Sequence, residues 1–353
     1  MTEVLAVDPL RPAAGAIARA ASIIAAGGTV AFPTETVYGL GANGLDPDAV
    51  ARVFRAKGRP QDNPVILHVA DADGLKPLVE DVALPLALEL AGRFWPGPLT
   101  LVLRRSPIVP AVVSAGLPTV GVRVPAHPVA LALIAASGTP IAAPSANLSG
   151  RPSPTVPEHV LADLTGRIDA LLSAGATGIG VESTVLDLTG PVPTVLRPGG
   201  ATLEDLAAAL GRVEFHPAAA GRVEPDAPLP SPGLRHVHYA PRARMVLVEG
   251  ADATAIRQAA LVLARGAQAQ GARVGVLARP GLEWGLPGCL VQPAGARDAI
   301  GAVAAGMYAA LRELDAAGPD IIIAEAYPEA GLGWAVMNRL RRAAGEISHA
   351  AAP

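Results

Sequence analysis

Short apolar runs that alternate with helix-like segments are the feature that most constrains the fold of this chain. The runs PVILHVA, LTLVLRR and TVGVRVP, which begin at Pro64, Leu99 and Thr119, are rich in β-branched residues. Continuous runs of this kind are typical of strands that are buried on both faces. The segment Asp46–Lys57 is predicted to be a helix, with its first residue as the N-cap. The alternation therefore predicts a mixed α/β domain.

A stretch rich in proline, alanine and glycine interrupts this pattern from Gly211 to Pro241 and has the composition of a linker. Its second half, SPGLRHVHYAP, carries two histidines, an arginine and a tyrosine, which flexible spacers rarely contain. Beyond Arg242, strands and helices alternate again at the spacing of a small, Rossmann-like parallel-sheet domain. We predict a domain over residues 1–211, a linker or lid over 212–241 and a C-terminal domain over 242–353.

The composition argues against several classes of protein. The 353 residues are 51% hydrophobic and 17% charged, which suits two folded domains and not a disordered chain. A net charge of −3 and 3% aromatic residues disfavour a general nucleic-acid or anionic-membrane binder. The single cysteine, Cys289, cannot form an internal disulfide or a cysteine-rich zinc site. Because no signal peptide or membrane-spanning run is apparent, we expect a soluble, cytoplasmic protein without a membrane partner.

The segment FPTETVYGLGANG follows the predicted strand Thr29–Pro33 and is dense in hydroxyl groups, from Thr34, Thr36 and Tyr38. Ligands of open α/β sheets bind at the carboxyl ends of strands. The glycines of the segment, however, lack the spacing of a Walker loop or a dinucleotide fingerprint. This segment alone is explained equally well by a ligand-binding loop and by a plain turn.

A basic corner follows, with Lys57 and Arg59 placed where Gly58 and Pro60 end a predicted helix. Cations at a helix C-terminus are favourable for the helix dipole, so a purely structural explanation is adequate. A lysine and an arginine are also the usual pair for holding phosphate or carboxylate. His68, in the next strand, is more often a core histidine than a ligand contact.

Later strand ends carry further hydroxyls, amides and cations. They are Arg123 in VRVPAHP, Ser145, Asn147 and Ser149 in APSANLSG, Glu182, Ser183 and Thr184 in ESTVLDL, and Arg197 in TVLRPGG. No G-x-S-x-G elbow, HExxH motif or clustered metal-ligand spacing is present, so we expect no protein-held metal. Together the strand ends predict a cleft for a polar anion such as a nucleotide, with chemistry by positioning and electrostatics.

The motifs PTETVYGLG, AKGRP with NPVILHV, and PSANLSG contain the K-x-R and S-x-N signature of the YrdC-like family, which this chain resembles. With SPGLRHVHYAP and GLGWAVMNRLRRAA it is similar to the long, two-domain threonylcarbamoyl-AMP synthases. The resemblance implies an open twisted mixed sheet, followed by a linker and a small Rossmann-like domain. It also implies synthesis of threonylcarbamoyl-AMP and pyrophosphate from L-threonine, bicarbonate (or carbon dioxide) and ATP, with Mg²⁺ bound to the ATP.

The same resemblance implies roles for individual residues and for partners. Catalytic roles fall to Lys57, Arg59, Ser145 and Asn147; threonine binding falls to Thr36, His68, Arg123 and Ser183; ATP binding falls to Arg59, Asn63, Thr119, Ser145, Ser153, Arg197 and Tyr239. The product would pass to a downstream tRNA threonylcarbamoyl transferase complex, which modifies the adenosine beside the anticodon. A weak direct contact with tRNA is left open.

Two alternatives belong to other classes. The first is a ribosome-maturation module that binds double-stranded RNA or tRNA through a basic face, against which the net charge and the scarce aromatics argue. The second is a carbamoyl-transferring hydrogenase maturation factor. Those proteins carry cysteine-rich zinc modules, which Cys289 alone cannot supply.

Overall fold

The computed structural model describes residues 1–80, 82–220, 239–280, 284–295 and 299–350. These residues form two compact units. The first contains Met1–Ser149 and Ser153–Ala219, and the second contains Gly150–Pro152 and residues 239–350. The boundaries expected at residues 211 and 241 stay predictions, because most of the expected linker lies outside the described residues.

The first unit combines short strands with amphipathic helices. Its helices are α1 (Ala14–Ala25), α2 (Pro47–Lys57), α3 (Leu84–Phe94), α4 (Ala111–Ser114), α5 (Pro128–Ser137), α6 (Pro157–Leu164) and α7 (Leu203–Leu210), with short 3₁₀ turns at Asp73–Leu78 and Pro217–Ala220. Its strands are β1 (Glu3–Ala6), β2 (Val30–Pro33), β3 (Tyr38–Asn43), β4 (Ile66–His68), β5 (Leu99–Arg104), β6 (Thr119–Arg123), β7 (Ile141–Ala142), β8 (Ala170–Ser173), β9 (Thr184–Asp187), β10 (Thr194–Arg197) and β11 (Glu214–Phe215).

These strands form one mixed sheet in the order β1-β8-β2-β3-β7-β4-β6-β5-β9-β10-β11. Strand β4 pairs in parallel with β6, whereas β2 with β3 and β5 with β6 are antiparallel. Aliphatic clusters cover the sheet, one packing α1 and α5 on β2 and β8 and another packing α3 near β5 and β6. The predicted mixed α/β fold is confirmed.

Local sequence signals explain the boundaries of α2. The side chain of Asp46 accepts hydrogen bonds from the backbone amides of Asp48 and Ala49, which satisfies two donors at the helix start. Gly58 ends the helix in the left-handed conformation, at φ 59°. The strand expected over residues 64–70 is shorter, because the amide of Val65 donates to the carbonyl oxygen of Val113 in α4 and not to a neighbouring strand.

The hydroxyl-rich segment after β2 is a loop for only four residues, since β3 begins at Tyr38 and runs back along β2. The loop or turn that the sequence suggested for the whole segment therefore ends at Val37, and Gly39 and Gly41 lie in β3. A Cβ atom at Gly41 would lie 2.5 Å from Ile141 and 2.7 Å from Phe32, so this glycine permits close strand packing. The Tyr38 hydroxyl is directed into the unit and donates to the carbonyl oxygen of Gly175 at 2.7 Å.

The second unit is a separate, all-parallel α/β unit, as predicted. Its helices are α8 (Ala253–Ala269), α9 (Ile300–Ala317) and α10 (Gly333–Ala343), and its strands are β12 (Arg244–Glu249), β13 (Val274–Ala278), β14 (Leu290–Pro293), β15 (Ile321–Glu325) and β16 (Glu346–His349). The strands follow the order β14-β13-β15-β12-β16, and every pair is parallel. No helix in the described parts of the chain has the length and apolar character needed to span a membrane.

Candidate active site

Lys57, the last residue of α2, is tied to the loop that follows β7. Its side chain is buried at 2% exposure, and its Nζ atom donates to the carbonyl oxygens of Ser145 at 2.5 Å and Asn147 at 2.6 Å. The amide of Ser149 donates in return to the carbonyl oxygen of Lys57 at 2.9 Å. The first cation of the predicted corner thus lies against the S-x-N loop, which is 88 residues away from it in sequence.

Arg59 folds back on the chain that leads into β4. Its Nη2 atom donates to the carbonyl oxygens of Asn63 at 3.2 Å and Pro64 at 3.0 Å, and its guanidinium lies 6.0 Å from the centre of the Phe54 ring. The Oδ1 atom of Asn63 is buried and has no hydrogen-bond partner among the described residues. These contacts hold Arg59 beside an amide that retains hydrogen-bonding capacity for a ligand.

The S-x-N loop is itself ordered by short contacts. The Ser145 hydroxyl donates to the Oδ1 atom of Asn147 at 2.6 Å, and the Asn147 side chain is buried. The amide of Ala146 donates to the carbonyl oxygen of Tyr38 at 2.8 Å, which fixes the loop alongside β3. Ser145 and Asn147 are therefore held in place by β3 and by Lys57.

Arg123 occupies the centre of a second polar cluster. It lies directly beside His68 in the β4–β6 pairing and is 3% exposed. Its Nη1 atom donates to the Thr36 hydroxyl at 3.1 Å, and its Nε atom donates to the carbonyl oxygen of Gly97 at 3.0 Å. The Thr36 hydroxyl shares a further 2.7 Å hydrogen bond with that of Thr34. Three of the predicted threonine-binding residues thus meet at one place.

Glu35 is a member of this cluster that the sequence reasoning did not single out. Its Oε1 atom forms an ion pair of 2.6 Å with the Nη2 atom of Arg123, and its side chain is 12% exposed. The pair lacks hydrogen-bond alignment, and neither carboxylate oxygen has a hydrogen-bond partner among the described residues. The available signal was Arg123 itself, because a buried arginine in a strand requires an anionic partner.

The titration of His68 is set by its surroundings. Burial, and then the positive charge of Arg123, lowers the pKa of His68 to about 3. The imidazole is therefore neutral at physiological pH. A neutral ring beside Arg123 adds hydrogen-bonding capacity without repelling the guanidinium.

Arg197 and Ser183 form a third cluster. The Nη2 atom of Arg197 donates to the carbonyl oxygen of Ser183 at 2.9 Å, and the Ser183 hydroxyl shares a 2.8 Å hydrogen bond with that of Thr100. A Cβ atom at Gly199 would lie 2.3 Å from the carbonyl oxygen of Glu182, so only glycine permits this close approach. The glycines after Arg197 are thus explained by packing against the loop that carries Ser183.

The remaining predicted contacts lie in the first unit near these clusters. The buried Ser153 hydroxyl donates to the Oε1 atom of Glu182 at 2.5 Å. Thr119 is half-buried and lines a small cavity together with Thr100 and Gly121.

The turn between β2 and β3 connects the clusters. The amides of Ile179 and Gly180 donate to the carbonyl oxygens of Glu35 at 2.8 Å and Thr36 at 3.0 Å. The amide of Tyr38 donates to the carbonyl oxygen of Pro154 at 2.9 Å. Loops from distant parts of the sequence therefore converge on this one turn.

Tyr239 belongs to the second unit. Its ring centre lies 5.6 Å from that of Tyr308, and the guanidinium of Arg339 lies 5.6 Å from it. The rest of the predicted lid motif, residues 231–238, lies outside the described residues, so the ATP contact expected of Tyr239 stays a prediction.

Comparison with known proteins identifies the family. Residues 22–199 match the family model Sua5_yciO_yrdC, described as telomere recombination, and residues 201–345 match the model Sua5_C, described as the C-terminal domain of threonylcarbamoyl-AMP synthase. The threonylcarbamoyl-AMP synthase of Pyrococcus abyssi is 47% identical over 326 residues, which cover 92% of this chain and 93% of that protein. The chain belongs to the threonylcarbamoyl-AMP synthase family.

Other members of the threonylcarbamoyl-AMP synthase family agree with this assignment. The Bacillus subtilis enzyme is 48% identical over 330 residues, which cover 93% of each protein. The crystal structure of P. abyssi Sua5 complexed with L-threonine superposes with a TM-score of 0.92 at 46% identity and covers 99% of both chains. The similarity spans both units, and the resemblance seen in the sequence motifs is confirmed.

Proposed function

We propose that the protein is an L-threonylcarbamoyladenylate synthase. It converts L-threonine, bicarbonate (or carbon dioxide) and ATP into threonylcarbamoyl-AMP and pyrophosphate. The observation that carries the proposal is the 47% identity, over nine-tenths of both chains, to the synthase of P. abyssi. The structure of P. abyssi Sua5 with L-threonine supports threonine as the amino-acid substrate.

The threonine site is the cluster around Arg123. The guanidinium of Arg123 matches the α-carboxylate of threonine in charge and in planar shape. The Thr36 hydroxyl, 3.1 Å from the Nη1 atom of Arg123, and the neutral imidazole of His68 provide polar contacts on neighbouring elements. Ser183 completes the set from the loop that is held by Arg197.

The ATP site lies between the basic corner and the loops that face it. Lys57 and Arg59 supply positive charge for the phosphates, and Ser145 and Asn147 supply hydrogen bonds from the adjoining loop. Further contacts come from Asn63, Thr119, Ser153 and Arg197, and from Tyr239 in the predicted lid. ATP enters as its Mg²⁺ complex, in which the phosphates and water hold most of the coordination sphere of the ion.

The reaction follows from this arrangement. The threonine amine, after loss of a proton, attacks bicarbonate or carbon dioxide and forms a carbamate; with bicarbonate, water leaves. A carbamate oxygen then attacks the α-phosphorus of ATP, and the bond to the β-phosphate oxygen breaks to release pyrophosphate. Lys57 and Arg59 stabilise the negative charge that develops on the phosphates. The linker over residues 212–241 would close over the site, because both the carbamate and its mixed anhydride with AMP react with water.

The product is consumed elsewhere. A mixed anhydride of this kind must be delivered to a transferase, which we propose is a downstream tRNA threonylcarbamoyl transferase complex acting beside the anticodon. A weak contact of this protein with tRNA would assist that transfer. The alternative of an RNA-binding module predicts tight, salt-sensitive binding of tRNA without turnover of ATP.

Release of pyrophosphate from ATP tests the proposal. The full-length protein should release pyrophosphate only when L-threonine and bicarbonate are both present. Release without threonine would indicate a different acceptor, and absence of release together with tRNA binding would favour the RNA-binding module. Replacement of threonine by serine and valine reports which of the hydroxyl and methyl groups the site requires.

A further inference from the structure

A cavity of about 470 Å³ lies in the second unit, at the carboxyl edge of its parallel sheet. It is lined by residues that follow three different strands: Gly250 and Asp252 after β12, Arg279 after β13, and Tyr327 and Glu329 after β15. These residues take no part in the chemistry derived above. We call this cavity the C-terminal cleft.

The strand order explains why a cleft forms at this position. The connection from β12 through α8 crosses the sheet towards β13, whereas the connection from β15 through α10 crosses in the opposite direction towards β16. Because both crossovers of a parallel sheet are right-handed, the two helices leave the adjacent strands β12 and β15 on opposite faces. The loops separate at such a switch point, which is the usual ligand-binding position of open α/β sheets.

The acidic side chains of the C-terminal cleft are only partly neutralised. Asp252 caps α8 by accepting hydrogen bonds from the amides of Thr254 and Ala255. Arg341 lies between two carboxylates: its Nε atom donates to Glu249 at 2.7 Å, and its Nη1 atom contacts Oε1 of Glu329. The single positive charge of Arg341 is therefore shared between two carboxylates. The side chain of Glu329 is 32% exposed, so its carboxylate is partly open to solvent.

Arg279 supplies the opposite charge. Its guanidinium lies 4.8 Å from the centre of the Tyr327 ring, and its Nη2 atom donates to the carbonyl oxygen of Ala326 at 2.5 Å. Its Nε atom is buried without a hydrogen-bond partner among the described residues, and no carboxylate side chain there pairs with this guanidinium. The backbone and the tyrosine thus hold a guanidinium in place that forms no ion pair with a carboxylate of the described residues.

We infer that the C-terminal cleft binds a small dipolar ligand of the α-amino-acid class. The carboxylate of the ligand pairs with Arg279, near the positive end of α8, and its ammonium group pairs with Glu329. The carboxylates of the cleft outnumber its arginines, which disfavours a ligand that carries several negative charges, such as a nucleotide. A dipolar ion pairs with the positive charge of Arg279 and with the negative charge of Glu329 at the same time.

Isothermal titration calorimetry of the full-length protein with each of the twenty amino acids tests this inference. At least one should bind, with an affinity that falls about tenfold or more in Arg279→Gln and in Glu329→Gln. The control Arg265→Gln removes an exposed cation from α8, outside the cleft, and should bind as the wild type does. Because Arg279 lies in the second unit, a loss of binding in Arg279→Gln reports on the C-terminal cleft and not on the threonine site of the first unit.

Analogues of the bound amino acid identify the two charged contacts. The amide that lacks the carboxylate should be insensitive to Arg279→Gln, and the acid that lacks the amine should be insensitive to Glu329→Gln. Unchanged circular dichroism and unchanged pyrophosphate release show that each variant is folded, and the two variants test the cleft independently. The inference is overturned if no amino acid binds, if both variants bind like the wild type, or if AMP binds in a manner lost with Arg279.

Discussion

The Nζ atom of Lys57 lies 2.5 Å from the carbonyl oxygen of Ser145, so the K-x-R motif and the S-x-N motif are in direct contact. The same Nζ atom also donates to the carbonyl oxygen of Asn147. Lys57 therefore has two roles in the proposed site. It positions the loop through backbone carbonyls, and it supplies positive charge for phosphates.

Lys57→Met should separate these roles from simple packing, because methionine keeps the apolar stem and removes the charge. We expect pyrophosphate release to fall by about 100-fold or more. We also expect the free energy of unfolding to fall by on the order of 3 kcal/mol, since two charge-assisted hydrogen bonds are lost. Chemical denaturation and the pyrophosphate assay measure the two effects. Turnover at the wild-type rate would remove Lys57 from the site.

Arg59→Ala should impair turnover far more than Arg55→Ala, a matched control in the last turn of α2, which ends two residues before Arg59. Arg59 lies beside Asn63 and Pro64, whereas Arg55 is exposed. We expect kcat/KM for ATP to fall by about 100-fold in the first variant and by less than about twofold in the second. Equal effects in both variants would mean that general positive charge is sufficient and that the corner is not a specific phosphate site.

Glu35→Gln should raise the KM for threonine by about tenfold, with little change in the KM for ATP. Glutamine keeps the size of the side chain but loses the charge that holds the Nη2 atom of Arg123 at 2.6 Å. The guanidinium should then turn away from the orientation that receives a carboxylate. Steady-state kinetics with each substrate varied in turn gives the comparison. A lower KM for threonine would instead show that Glu35 competes with the carboxylate of the substrate.

His68 should make the protein less stable as the pH falls. Its pKa is about 3 in the folded protein, against an ordinary value of 6.5, so below pH 6.5 the unfolded chain binds the proton first. The free energy of unfolding should therefore decrease by up to about 1.4 kcal/mol per pH unit between pH 6.5 and pH 3. Urea titrations at several pH values measure this slope. His68→Asn should have a shallower slope, and an unchanged slope would refute the assignment to His68.

Tyr38→Phe should destabilise the protein without changing turnover. The Tyr38 hydroxyl donates to the carbonyl oxygen of Gly175 and accepts from the amide of Ala174, and burial raises its pKa to about 12. Removing it leaves the buried amide of Ala174 without this acceptor and the carbonyl of the exposed Gly175 without this donor, which costs about 1–3 kcal/mol. Denaturation midpoints and the pyrophosphate assay provide the test. Loss of activity in a stable variant would show that the Tyr38 hydroxyl has a role in the site besides its structural one.

Local patterns were sufficient to predict much of this fold. The N-cap at Asp46 and the glycine that ends the helix after Lys57 each depend on residues within a few positions of one another. Such signals act through hydrogen bonds and backbone sterics inside one short segment, so they can be recognised in the sequence. The K-x-R and S-x-N motifs can be recognised in the same way, because each is a short run of consecutive residues.

Contacts between distant segments were not predictable in this way. Gly39 and Gly41 resemble loop glycines in the sequence, but they lie in β3 because Phe32 and Ile141 pack against that strand. The sequence around Glu35 gives no sign of a partner. Its ion pair with Arg123, which is 88 positions further along the chain, appears only in the folded structure.

The C-terminal cleft also depends on contacts between segments that are distant in sequence. The sequence determines the order and type of the elements and the residues at each strand end. The pairing order β14-β13-β15-β12-β16 brings Arg279 and Glu329 to one edge, and it is a property of the whole sheet. Side-chain burial and long-range strand pairing depend on the sum of many weak contacts across the chain, and for that reason only the folded structure reveals which charged groups meet.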